Sequence, residues 1–190
     1  MKKSLEERIE EAIREEISIV PYNPVWPIFF ESEAIFLQSK LPGSLVSRVE
    51  HFGSTAIPGL AAKPVIDILV QVDSLEETKK LIVPLLESEG YDYFWRTDTP
   101  SPYAWFIKRD SEGKRTHHIH MVEADSKLWD RLYFRDYLNE FPDEAKRYEE
   151  LKLSLASDYP NDRIAYTEGK TEFVVELTER AKRYYTEREE

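Results

Sequence analysis

Apolar residues run almost unbroken from Val65 to Val72, V-I-D-I-L-V-Q-V, with one charge, Asp67, inside the run. Such a run, rich in Val and Ile and preceded by Pro64, predicts a buried strand. Upstream, Arg48 to Phe52 predicts a shorter strand. Gly53-Ser54 and Pro58-Gly59 are turn signals between the two. Residues 91–97 (Y-D-Y-F-W-R-T) and 103–109 (Y-A-W-F-I-K-R) are aromatic and strand-like. Asp110-Ser111-Glu112-Gly113 is a turn and 114–123 a returning strand, so 103–123 predicts a hairpin.

Other segments carry helical spacing. Residues 4–17 place Leu5, Ile9, Ile13 and Ile17 on a narrow apolar stripe. Asn23 is positioned to cap a second helix, with Pro24 at its first position and Pro27 delaying its start. Val25, Phe29, Ile35 and Phe36 form the expected buried side of that helix, and Pro42-Gly43 ends it. Ser74 to Glu77 has capping-box spacing. It opens a helix with Leu75, Ile82, Leu85 and Leu86 inward, kinked at Pro84 and ended by Gly90. Residues 126–139, 143–157 and 162–187 are further helices, punctuated by Pro142 and Pro160. The sum is an α+β fold, a mixed β-sheet with packed helices. Length predicts one domain over 1–190, with a core at 18–125 and a helical C-terminal part at 126–190.

Composition narrows the function. The chain has 37 acidic and 26 basic residues and a net charge of -11. That argues against broad nucleic-acid binding, which needs a basic face, but leaves room for a small basic pocket. There is no cysteine, which excludes disulfides, thiolate zinc sites and a Cys nucleophile. The opening M-K-K-S-L-E-E-R lacks the apolar core of a secretory signal. No apolar run approaches the roughly 18 residues of a membrane span. A soluble, cytoplasmic protein is expected.

A carboxylate inside a buried strand is costly unless it is paired, hydrogen-bonded or metal-bound, which makes Asp67 the first candidate for chemistry. His117, His118 and His120 cluster in one predicted strand. Alternation puts His118 and His120 on one face, and His117, Ile119 and Met121 on the other. With Asp67, His118 and His120 could ligate a divalent metal; they could also bind phosphate, transfer protons or simply hydrogen-bond in the sheet. Gly53-Ser54 can offer backbone N–H groups and a hydroxyl to phosphate oxygens. Lys63, Arg96, Lys108, Arg109, Lys114, Arg115 and Lys170 are the cations suited to a polyanion. Arg115 and Lys63 adjoin the motifs, and Lys170 follows Tyr166 by one helical turn. No Walker A or G-x-G-x-x-G loop and no nucleophile elbow is present.

Gly53-Ser54 followed by an aliphatic run with an embedded carboxylate resembles the nucleotidyltransferase superfamily related to DNA polymerase beta. In that pattern Gly-Ser helps hold nucleotide phosphates, and two carboxylates separated by one apolar residue bind divalent metal. If Asp67 takes the second carboxylate position, Val65 stands at the first; if it takes the first, Leu69 stands at the second. One ligand of two-metal chemistry is therefore missing, unless His118 or His120 substitutes. Y-N-P-V-W, H-F-G-S-T-A-I-P-G-L-A-A-K-P-V-I-D-I, H-H-I-H, F-R-D-Y-L and Y-T-E-G-K, in this order, resemble the GrpB family. The resemblance implies a nucleotidyltransferase-like fold and a family that also occurs fused to dephospho-CoA kinase. It implies a nucleotide or phosphorylated metabolite as the small-molecule partner. Asp67, His118 and His120 would be catalytic and metal-binding, for Mg or Mn. Gly53, Ser54, Lys63, Arg115 and Lys170 would hold phosphate. A catalytically inactive scaffold and a metal-dependent hydrolase stay open as alternatives.

Overall fold

The buried run forms the strand β2 (Ile66–Val72), in which every side chain but Asp67 and Gln71 is fully buried. The antiparallel strand β1 (Val46–Phe52) lies on one side of it, and β5 (Arg115–Val122) pairs parallel on the other. The hairpin of β4 (Tyr103–Arg109) with β5, and β3 (Asp92–Arg96) beyond it, complete a mixed five-stranded sheet in the order β1-β2-β5-β4-β3. The five predicted strands thus share one sheet. This computed structural model describes Glu6, Glu7, Glu10, Ile13 and residues 15–97 and 101–188.

One face of the sheet carries Ile66, Ile68, Val70, Ala104, Phe106, Ile119 and Met121 against Trp26, Leu37, Ile82 and Leu86. The last four come from helices covering that face: α1 (Trp26–Lys40), and a stretch of α2 (Leu75–Glu77), a π turn (Thr78–Ile82) and α3 (Val83–Ser88). Ser74 caps that stretch, its hydroxyl accepting from Glu77 N at 3.3 Å. Pro84 was expected to kink it. A π turn precedes the proline, which has no N–H to return to the turn before it, and the wider turn absorbs the missing bond.

The buried side of α1 differs from the expected one. Trp26, Glu33 and Leu37 face inward, while Val25, Phe29 and Ile35 are exposed and Phe36 is only partly buried. The inward stripe contains a carboxylate, which shifts the apparent phase of the apolar pattern by one residue. Glu33 is tolerated there because it accepts from the Tyr91 hydroxyl and the Lys108 ammonium.

A second layer packs on the other face. After a 3-10 turn (Lys127–Asp130) come α4 (Arg131–Glu140), α5 (Pro142–Asp158), α6 (Arg163–Gly169) and α7 (Thr171–Thr186). The single helix expected over 162–187 is two, broken at Lys170. Phe134, Tyr137, Leu138, Tyr148, Val174, Leu177 and Ala181 form the core of this layer. Ile57 and Leu60, from the loop between β1 and β2, insert into it. The same loop is clamped at Ala61, whose N–H donates to Glu149 and whose carbonyl accepts from the buried Lys152. The sheet and the helical part are thereby tied through one loop, the loop that leads from Gly53 to Lys63.

The helix expected at 4–17 falls largely outside the described residues; Glu6, Glu7, Glu10 and Ile13 are helical. Residues 15–17, expected to end that helix, are not helical; Ile17 is buried all the same, and its N–H donates to Pro160 O at 2.8 Å. Among the described residues no helix is long and apolar enough to cross a membrane.

Candidate functional site

Register builds the site. The parallel pairing of β2 with β5 sets Asp67 beside His118, and alternation puts His120 on the same face. Antiparallel pairing sets Trp105 of β4 opposite His120. Asp67, His118 and His120 can each offer a ligand atom within 4.8 Å of the others. Gly53 follows β1 at φ 75°, where a side chain is strained. A Cβ there would stand 3.0 Å from Asp67 Cβ and closer still to Oδ2, so the carboxylate lies flush against this backbone. Ser54 opens a 3-10 turn of three residues, Ser54–Ala56.

Asp67 orients His118. Burial acts to raise the carboxyl pKa, but the hydrogen bond from His118, helped by His118, His120 and Lys63 in their protonated forms, outweighs it, and the group is held below its usual value. An ionised Asp67 accepts, so His118 Nδ1 carries the proton and donates to Oδ1 at 3.1 Å. Nε2 is then the acceptor, facing Arg115 Nη1 at 3.4 Å. Burial keeps His118 neutral despite Asp67, with Arg115 and Lys63 acting in the same direction as burial. Glu15 fixes Arg115 in turn, Oε2 lying 2.7 Å from its Nε; the same carboxylate meets Arg109 and Arg163.

His120 sits among Phe52, Tyr103 and Trp105, with ring centroids 5.2, 5.4 and 6.1 Å away. Burial pulls it down to about 3, so the ring is neutral, the form that ligates metal. Its Nδ1, and Trp105 Nε1 beside it, are buried with no hydrogen-bond partner among the described residues. Asp67 and His120 therefore fit one divalent ion. His118 fits less well, because both of its nitrogens are engaged. Among the described residues this donor set fits one ion, not two.

Cations gather around this centre. Lys63 and Lys170 both lie over the Tyr166 ring, at 5.2 and 4.5 Å. The break after Gly169 does not undo the shared face expected of Tyr166 and Lys170. Neither lysine, nor Arg131, has a carboxylate partner among the described residues, and Arg131 is close enough to His120 to lower its pKa further. A cleft of about 310 Å³ is lined by Lys63, Arg115 and Arg163, with Glu15 at its wall. Other candidates are committed elsewhere: Lys108 to Glu33, Arg109 to Asp92 and Glu15, and Lys114 to Glu112 on the surface.

The structure thus brings together Gly53, Ser54, Asp67, His118, His120, Lys63, Arg115 and Lys170. Sequence reasoning missed Trp105, Glu15 and Arg131. Trp105 was out of reach: counting the hairpin from its turn sets it opposite Ile119, and a bulge between Lys108 and Arg109 shifts the register by one to bring it opposite His120. Glu15 gave no signal among so many acids. The leading His51 of the H-F-G-S-T motif is structural. Its Nε2 donates to Thr55 Oγ1 at 3.0 Å, and Thr55 donates to Val65 O at 3.3 Å, tying β1 to the start of β2.

The pattern of the GrpB protein family matches residues 16–180. A UPF0157 protein of Pseudomonas aeruginosa is 42% identical over 182 residues, which cover 92% of this chain and 72% of its own. The glutamate-rich protein GrpB of Alkalihalophilus pseudofirmus is 39% identical over 165 residues, 85% of this chain and 94% of its own. The crystal structure of the conserved protein GrpB from Enterococcus faecalis superposes with a TM-score of 0.79 at 34% identity, covering 88% of this chain and 99% of that one. By sequence and by fold, over most of its length, this chain belongs to the GrpB family.

Proposed function

We propose that the cleft beside Asp67 binds the phosphate groups of a nucleotide or another phosphorylated metabolite. One observation carries this reading. In a protein with a net charge of -11, Lys63 and Lys170 converge over the Tyr166 ring with no carboxylate partner among the described residues, and Arg115 and Arg163 line the same cleft as Lys63. Arg115, Arg163 and Lys170 neutralise the phosphates, and Ser54 adds a hydroxyl donor. A divalent ion, Mg²⁺ or Mn²⁺, held by Asp67 and His120 would add charge neutralisation on the same oxygens. If transfer occurs, phosphate draws Arg115 away and frees His118 Nε2 to take a proton from an attacking hydroxyl, with Asp67 holding the imidazole in position.

The test is a thermal-shift screen of the full chain with ATP, other nucleotides and dephospho-CoA, with and without Mg²⁺ or Mn²⁺. A ligand at a hundredfold excess over its Kd stabilises by about 2.7 kcal/mol. Lys170→Ala and Arg115→Met should each abolish most of that shift. A screen in which no phosphorylated compound shifts the midpoint refutes the reading. Binding without turnover in the presence of acceptor alcohols identifies an inactive scaffold.

A further inference from the structure

We propose that Lys63 is a reactive amine, and that this cleft takes a phosphorylated carbonyl compound and joins it to Lys63 as an imine. The inference deepens the phosphate reading and rests on it. Lys63 lines the cleft that Arg115 and Arg163 also line. It makes no hydrogen bond or ion pair among the described residues, and Nζ hangs 5.2 Å over the Tyr166 ring. Permanent cations stand on either side of it, ready to hold a phosphate while the amine attacks elsewhere on the same molecule.

The charges facing Lys63 come from every element around it. Arg163 is on α6, Lys170 is at the break after it, Arg115 is on β5 and Asp67 is on β2. Glu15, Glu16, Glu112 and Lys114 also line the cleft; Glu15 is shared among three arginines, and Glu112 is paired with Lys114. Burial first, and then the three cations, outweigh Asp67 and bring the Lys63 ammonium down to about 7. Desolvation next to other cations is a known way to activate a lysine. Half of Lys63 is then neutral near pH 7, against roughly 1 in 3,000 for an ordinary lysine. Lys152 is an internal control. It too is brought down to about 7, but it is 1% exposed and its Nζ is bound to the Ala61 carbonyl, so it cannot reach a ligand.

The step balances without an oxidant or reductant. The Nζ lone pair adds to the carbonyl carbon to give a carbinolamine. The former carbonyl oxygen then leaves as water with the two hydrogens of the amine, and the C=N bond forms. The arginines and Lys170 keep the phosphate fixed throughout.

Pyridoxal 5′-phosphate is a suitable probe, because it carries both an aldehyde and a phosphate. The full chain is incubated with it, reduced with borohydride and mapped by peptide mass. Lys63 should be labelled at least tenfold faster than any other lysine at pH 7, with a rate half-maximal near pH 7 rather than 10.5. Millimolar inorganic phosphate should protect it, and pyridoxal, which lacks the phosphate, should label it at least tenfold more slowly. Labelling spread evenly over surface lysines, or falling on Lys152, overturns the proposal. Equal labelling of Lys63 by both aldehydes sinks the phosphate reading and this substrate class with it. Stabilisation by inorganic phosphate without reaction at Lys63 sinks the imine and leaves phosphate binding standing.

Discussion

Replacing Asp67 with Asn keeps the shape of the side chain and removes its charge. In the free protein the main loss is at His118. Its Nδ1–H now donates to an ionised carboxylate, a bond of about 1.5–3 kcal/mol; a neutral amide acceptor gives about 0.5–1.5 kcal/mol. His118 is neutral, so no ion pair is broken, and the 3–5 kcal/mol of a severed buried pair does not apply. The expected loss at pH 7 is about 1–2 kcal/mol. Because the Asp67 carboxyl is held below its ordinary 3.8, its contribution is present above 3.8 and disappears as the pH falls through the folded value. The gap between wild type and Asp67→Asn should hold steady from neutral pH down to mild acid, then close. Urea midpoints at matched slope, with metal chelated, measure it. A loss above about 3 kcal/mol, or a gap that persists in acid, would refute this account of Asp67.

Gly53→Ala should cost about 1–3 kcal/mol from the backbone alone and displace the Asp67 carboxylate; a melting midpoint and a phosphate-ligand shift measured together should both fall. Burial pulls His51 from 6.5 to about 4, so the unfolded chain binds the extra proton between those values and stability should rise with pH across that window; His51→Gln should flatten the rise in urea midpoints. Glu33→Leu leaves the buried Tyr91 hydroxyl without its acceptor and should cost about 1–3 kcal/mol by calorimetry, while Glu33→Leu with Tyr91→Phe should recover most of it.

The strands were legible because β-branched and aromatic runs ended at clear turn residues. Period-two alternation also placed His118 and His120 on the correct face. That they meet Asp67 was expected from the cost of burying a lone carboxylate, but the pairing of Asp67 with His118 rather than His120 was not legible, since the β2–β5 register is set by a crossover with no local signature. The inward face of α1 was misread because Glu33 occupies it, and burial of a carboxylate depends on partners 58 and 75 residues away. Burial of Lys152 failed to show for the same reason: its acceptor, Ala61 O, is 91 residues distant. Charge partners such as Glu15 with Arg115 are tertiary choices among many acids, and local pattern does not rank them.

The parallel seam between β2 and β5 is the one pairing in the sheet that no hairpin makes. Asp67 and His118 are 51 residues apart, and three helical pieces, β3 and β4 lie between them. Closing such a separation is entropically slow and comes after local hairpins have formed. The site is therefore an all-or-none object. During synthesis it cannot exist until β5 has left the ribosome, and a chain stalled earlier holds Asp67 with no imidazole beside it. No shortened version of the chain carries a weaker version of the site, so ligand binding doubles as a report that the whole sheet has closed.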